Sequence, residues 1–235
     1  MGSLESLSGH PDLPRACYLD LQLTDFHGQT LSVTASTSRG ELRCWLLHWP
    51  PRVDPDEWVT DLQWVLPVEP IPPYQTITKP ALNCLSVLEP VGMADTSRHL
   101  IVGVDDGSVR VASVGALCCQ NSSSVPHEPR WVASAVHHFA TVLRLCTLPT
   151  RGDQSERMFV TLSADQRLIL WSFNRSTGAL TPSHRVMLSG LGDPHGMHIV
   201  TVPCVSDQVI KSPEHFRTYI LTTGVGSALL ELSSM

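Results

Sequence analysis

Apolar and polar positions alternate along four separate stretches of the chain, at 32–47, 100–114, 159–173 and 220–234. In each, an apolar strand runs into a short polar turn and a second, alternating strand leads away. Aligned at the turn, Gly40, Gly107, Gln166 and Gly226 coincide. Leu42, Val109, Leu168 and Ala228 follow two residues later, and Cys44, Val111, Leu170 and Leu230 four residues later. A period of two places these side chains on one face of a pleated strand, so each hairpin is expected to bury the same face. Asp106-Gly107 signals a two-residue type I′ turn, which needs positive φ at both positions. Gln166 lacks the freedom of glycine, so another turn geometry is expected beside Asp165.

A further short apolar strand precedes each hairpin, at 17–23, 82–88, 142–148 and 197–203. A fourth follows the first three hairpins, at 58–66, 131–137 and 185–189. Each unit therefore reads as a four-stranded antiparallel meander, with boundaries near 13–66, 80–137, 138–190 and 195–235. A lone meander cannot cover both faces of its sheet, and stacking several around an axis solves that. The expected fold is an all-β propeller segment of about four blades. The turns lie farther apart than the ~40–45 residues of a compact repeat. Pro-rich inserts at 49–58, 67–80 and 120–129 account for the excess, since Pro cannot sit in a central ladder. The last unit ends after its third strand, so an incomplete ring is expected, with an open edge covered by further blades or by a partner.

The run from Ser163 to Trp171 resembles the end of a WD repeat, where a turn Asp (here Asp165) precedes a strand ending in Trp. The first unit repeats the pattern from Thr34 to Trp45 with Arg39 at the Asp position, and the second keeps Asp105-Asp106-Gly107 but has Ala112 in place of Trp. The fourth has neither. The family's Gly-His pair before the innermost strand is missing, with His138 a loose stand-in. More narrowly, the 164–171 octapeptide, His137-His138 followed by Leu143-Arg144-Leu145, and the short last unit are similar to the C-terminal propeller of the WD-repeat protein six family. That family includes accessory subunits of a tRNA ribose 2′-O-methyltransferase acting on the anticodon loop. The resemblance implies a protein-binding scaffold whose partner does the chemistry, with tRNA contacted indirectly or weakly.

Composition narrows the remaining classes. The chain has 235 residues, 42% of them hydrophobic and 16% charged, which is a globular profile. A net charge of −6 disfavours nucleic-acid binding as the main role, because that role draws on an excess of Lys and Arg. Seven cysteines include no C-x-x-C pair, and Cys17, Cys44, Cys84 and Cys146 sit in apolar runs as small core residues. The first residues lack the basic and apolar regions of a secretion signal, and no apolar run reaches the ~18 residues of a membrane span. A cytoplasmic setting with no membrane partner is expected, which makes the Asn121 and Asn174 sequons and the 151–153 Arg-Gly-Asp chance loop sequence.

Catalytic and metal chemistry find little support. His195 and His198 beside Cys204 are the best zinc candidates, yet they lack the paired Cys or helical H-E-x-x-H of such sites. Gly226-Ser227 lacks the surroundings of a nucleophile elbow, and Cys118-Cys119 suits packing better than reactivity. No phosphate loop or dinucleotide fingerprint occurs, so no cofactor is expected. Partner binding is expected from exposed aromatics in or beside the inserts, Trp49, Trp58 and Tyr74, with Trp58 and Trp64 divided between an interface role and packing between blades. Arg39, Arg43 and Arg167 are candidates for one rim of the ring, in reach of RNA phosphate. The rival readings are a general signalling or ubiquitin-ligase adaptor and an enzyme with a rim site.

Overall fold

A computed structural model describes residues 15–27, 30–48, 59–69, 79–88, 98–114, 128–149, 155–203 and 216–232. The first sheet comprises β1 (Tyr18–His27), β2 (Thr30–Thr37), β3 (Glu41–His48) and β4 (Val59–Pro67), hydrogen-bonded in that order. The second comprises β5 (Leu82–Leu88), β6 (Arg98–Val104), β7 (Ser108–Val114) and β8 (Arg130–Val136). The third comprises β9 (Val142–Thr147), β10 (Glu156–Ser163), β11 (Arg167–Asn174) and β12 (Ala179–Met187). In the fourth, β13 (Gly192–Pro203) pairs with β14 (Phe216–Leu232).

The long β14 doubles back on itself. Thr222 Oγ1 lies 3.4 Å from the carbonyl of Ala228, six residues on, where a straight strand would separate them by about 20 Å. Arg217 likewise reaches Glu231 at 3.6 Å. The fourth sheet thus has three antiparallel limbs, with 227–232 as its outermost.

The first strands β1, β5, β9 and β13 touch in succession, so the sheets stand as consecutive blades. Alternation supplies each blade with two covered faces. Leu42 on β3 packs with Leu85, Leu100 and Val102 of the second blade. Val109 and Val111 pack with Phe159, Ile169 and Trp171 of the third. Leu168 and Leu170 pack with Met197 and Ile220 of the fourth. Every residue of β7 is buried, because its blade is sandwiched between two others. Asp20 adds a polar tie, accepting from the amide of Leu85 at 2.8 Å across the first interface. The result is the expected all-β, propeller-like row of blades, with no closed barrel among the described residues.

Three details differ from the sequence reading. Ala228 and Leu230 pack towards the third blade with Leu168 and Leu170, whereas the alignment at Gly226 put all four on the same side of their blades. The fourth hairpin is slipped by one residue in face, and one residue is enough to exchange the faces of a strand. The outer strand of the third blade spans Ala179–Met187, not 185–189, and most of it is exposed, which hid it among polar residues. Cys17 is exposed, while Cys44 and Cys84 are buried as expected.

Candidate functional site

The turns of the first three hairpins share one geometry. The amides of Gly40, Gly107 and Gln166 donate to the carbonyls of Thr37, Val104 and Ser163 at 3.2, 3.2 and 3.0 Å. Their φ values are +71°, +80° and +61°. This is a tight turn followed by one left-handed residue, the three-residue hairpin with a bulge. Gln166 therefore adopts the same turn as the glycines, contrary to expectation. Among the described residues Asp106 is not at positive φ, so the type I′ assignment also fails. Asp106 instead accepts from the amide of Ser108 at 2.9 Å, and Asp165 from that of Arg167 at 2.9 Å.

Each turn packs on the connection into the following blade, so turns and connections form one rim. A Cβ on Gly40 would lie 2.5 Å from the carbonyl oxygen of Pro80, and one on Gly107 2.5 Å from that of His138. The carbonyl of Gly40 accepts from Val68 at 2.7 Å, and that of Gln166 from Leu188 at 2.9 Å. Gly226, at φ +106°, instead lies against the connection into its own blade, where an added Cβ would be 3.0 Å from the carbonyl oxygen of Gly190.

Residues 137–141 are held from two blades at once. From the second, Gly107 presses on His138, and Asp105 Oδ1 accepts from the Thr141 hydroxyl at 2.6 Å. From the third, Asp165 accepts from the amide of Phe139 at 2.9 Å and Ser163 Oγ donates to the carbonyl of Ala140 at 3.0 Å. Buried His138 lies between Asp165 (Nδ1 to Oδ1, 3.3 Å) and Thr161 (Nε2 to Oγ1, 2.8 Å). The indole of Trp171 donates to the same Thr161 oxygen at 2.8 Å.

Donor and acceptor inventories fix the direction of this chain of bonds. Ionised Asp165 can only accept, so the neutral His138 ring must face it with a protonated nitrogen, and Nε2 is left to accept from the Thr161 hydroxyl, whose oxygen accepts from the Trp171 indole. The imidazole then carries its proton on Nδ1 and gives it to Asp165. Burial, reinforced by Arg167 and His137, lowers the His138 pKa despite the facing carboxylate, and so keeps the ring neutral. Burial alone would raise Asp165, but the amides of Phe139 and Arg167, with His138 and Ser163, hold its carboxyl below the usual range. His138 is thus a buried, neutral member of this chain of bonds. Its partners lie 23 and 27 residues away, and the pairing of a buried His with a turn Asp was the one available signal.

On this fixed base Phe139 stands 79% exposed. The guanidinium of Arg167 lies over its ring, 4.4 Å from the centroid. Arg39 is exposed on the first blade's turn of the same rim, with exposed Lys79 beside Gly40. Arg43 does not join them. It is 1% exposed, paired with Glu41 at 2.7 Å and hydrogen-bonded to the Tyr18 hydroxyl at 3.3 Å, so it cannot meet an RNA phosphate as expected. Arg110 holds the equivalent position on the second blade, buried and bonded to the carbonyl of Glu69 at 2.6 Å. Both arginines serve blade structure. Trp64 is half-buried in the packing between the first two blades.

Trp49, Trp58 and Tyr74 lie outside the described residues, as do most of the Pro-rich inserts. So do Cys118, Cys119 and Cys204. His195 and His198 are both exposed, and His195 Nδ1 bonds the carbonyl of Asp193 at 3.0 Å. Among the described residues, no three His, Cys, Asp or Glu side chains gather in a metal-binding group. Among the same residues, no helix is long and apolar enough to cross a membrane.

The class that fold and rim define is an all-β repeat protein with propeller-like blades and a cation-capped aromatic on its turn rim. No family model matches the sequence, and no curated protein matches it.

Proposed function

We propose that this chain is a non-catalytic WD-repeat scaffold that holds protein partners. The observation that supports this best is Phe139, a large exposed aromatic on a segment anchored to two blades, with Arg167 stacked on it. Aromatic and Arg side chains on a rigid base are the usual anchors of an interface, because they bury much area at little entropic cost. In its sharper form the scaffold is a cytoplasmic accessory subunit for 2′-O-ribose methylation in the tRNA anticodon loop. The methyltransferase partner supplies the chemistry, and tRNA is touched indirectly.

The test is a quantitative pull-down of the methyltransferase with Phe139→Ala and Arg167→Ala. Each substitution is expected to weaken capture about tenfold, which equals about 1.4 kcal/mol. Deleting the protein should abolish anticodon-loop ribose methylation, and intact methylation would refute the sharper form. Capture dominated by signalling or ubiquitin-ligase components would favour the general adaptor.

A further inference from the structure

Arg185 of β12 donates to His137 at 2.7 Å, from guanidinium Nη2 to imidazole Nδ1. His137 directly follows β8, so this bond joins the outer strands of the second and third blades. Apolar groups meet there too: Val132, Ala133 and Ala135 of β8 and Leu180 of β12 pack on the core that holds Trp171. The half-buried His137 ring lies against the Trp171 indole, with 5.5 Å between centroids and a tilt of 55°.

The pair itself fixes the state of the imidazole. Arginine offers only donors and stays charged, so the nitrogen that meets it must present a lone pair. A proton on that nitrogen would set two donors face to face, each on a cation. Burial, then the charge of Arg185, lowers the His137 pKa and so favours the ring that can accept. The other charged groups nearby look elsewhere. Asp165 and Arg167, from the turn between β10 and β11, bear on the neutral His138. His184, next to Arg185 on β12, faces the fourth blade. From β11 the neighbour is the uncharged indole of Trp171.

We propose that His137 and Arg185 form a proton-operated latch between the second and third blades, closed while the imidazole is neutral and released when it takes up a proton. On release Arg185, which is exposed on its strand, turns to solvent. The apolar contacts and the ties of residues 138–141 remain, so the blades loosen at their outer strands without separating. The latch does not rest on the binding role given to Phe139.

The titration is followed on the full chain by proton–carbon NMR of the histidine rings, with the His137 signal assigned by its loss in His137→Gln. Its midpoint should lie below the ordinary histidine value of about 6.5 and rise in Arg185→Met, which removes the facing cation. A double-mutant cycle of His137→Ala and Arg185→Met, measured by urea unfolding, then reads the contact itself. The coupling should be favourable above the His137 midpoint and vanish or change sign below it. In His137→Gln the amide oxygen accepts from Arg185 at any pH, so its coupling to Arg185 should persist on both sides of that midpoint. A midpoint at or above the ordinary value, a midpoint indifferent to Arg185→Met, or a His137–Arg185 coupling that ignores pH would overturn the proposal. Neither measurement involves a partner, so a failure of the rim reading and a failure of the latch give different results.

Discussion

Thr161 sits where two buried partners converge, and removing its hydroxyl strands both of them. Thr161→Val keeps the shape and the β-branched preference of the strand, so backbone and cavity effects are small. What it deletes is the acceptor for the Trp171 indole N–H and the donor to His138 Nε2, each 2.8 Å away. Neither group has solvent as a substitute, since Trp171 and His138 are 0% and 2% exposed. An unsatisfied buried polar group costs about 1–3 kcal/mol, and two such groups with partial relaxation give about 3 kcal/mol. In a chain of this size the melting temperature should fall by about 6–12 °C. Equilibrium urea unfolding, followed in parallel by tryptophan fluorescence and far-ultraviolet circular dichroism, measures the free-energy change. In a Trp171→Phe background the stranded donor is gone, so Thr161→Val should cost at least about 1 kcal/mol less there. A cost below about 1 kcal/mol, or an equal cost in both backgrounds, would refute the hydrogen-bond chain as a stabilising unit.

Gln166→Gly should raise stability by up to about 1 kcal/mol, because a left-handed backbone costs a non-glycine residue about 1–2 kcal/mol and the entropy of glycine takes back part of the gain. Calorimetry checks this, and a lower melting temperature would show that the side chain makes an offsetting contact. His138 and Asp165 both have lowered pKa values in the fold. Protons therefore bind the unfolded chain first: stability is whole above the ordinary histidine value and declines as pH falls below it, then again below the ordinary carboxylate range. Urea midpoints measured at about pH 7.5 and pH 5.5 should differ in that sense, and His138→Gln should flatten the difference. Burial, with the charge of Asp20, pushes the Cys84 thiol up to about 12, whereas Cys17 is exposed. Iodoacetamide near neutral pH should label Cys17 in the native protein and spare Cys84, and equal labelling would contradict the packing.

The strands were legible because a period of two survives any loop length, and the hairpin centres because turn residues punctuate it. The face of a strand was less secure. At Gly226 the turn was located correctly, yet a single residue of slip sent Leu229 outwards and Leu230 inwards. Arg43 looked like a rim charge because nothing local says that Glu41, two residues away, folds over it with Tyr18. The His138 chain joins a connection, two strands and the turn between them, and pattern reading does not reach across such distances. Gln166 shows tertiary context overriding a turn preference: hydrogen bonds to Ser163 and Leu188 hold the position on both sides. Phe139 carried no sequence signal at all, since its exposure follows from the anchoring of its neighbours.

The anchoring of residues 137–141 to two blades has a thermodynamic consequence. A connection owned by a single blade would let neighbours melt one after another, each losing only its own contacts. Here the segment cannot open without giving up the tie from Asp105 and those from Ser163 and Asp165 together. The second and third blades are thereby joined as nearest neighbours with a strong interface term, of the kind that makes a repeat array unfold as a block. Destabilisation introduced in either blade should be felt in both.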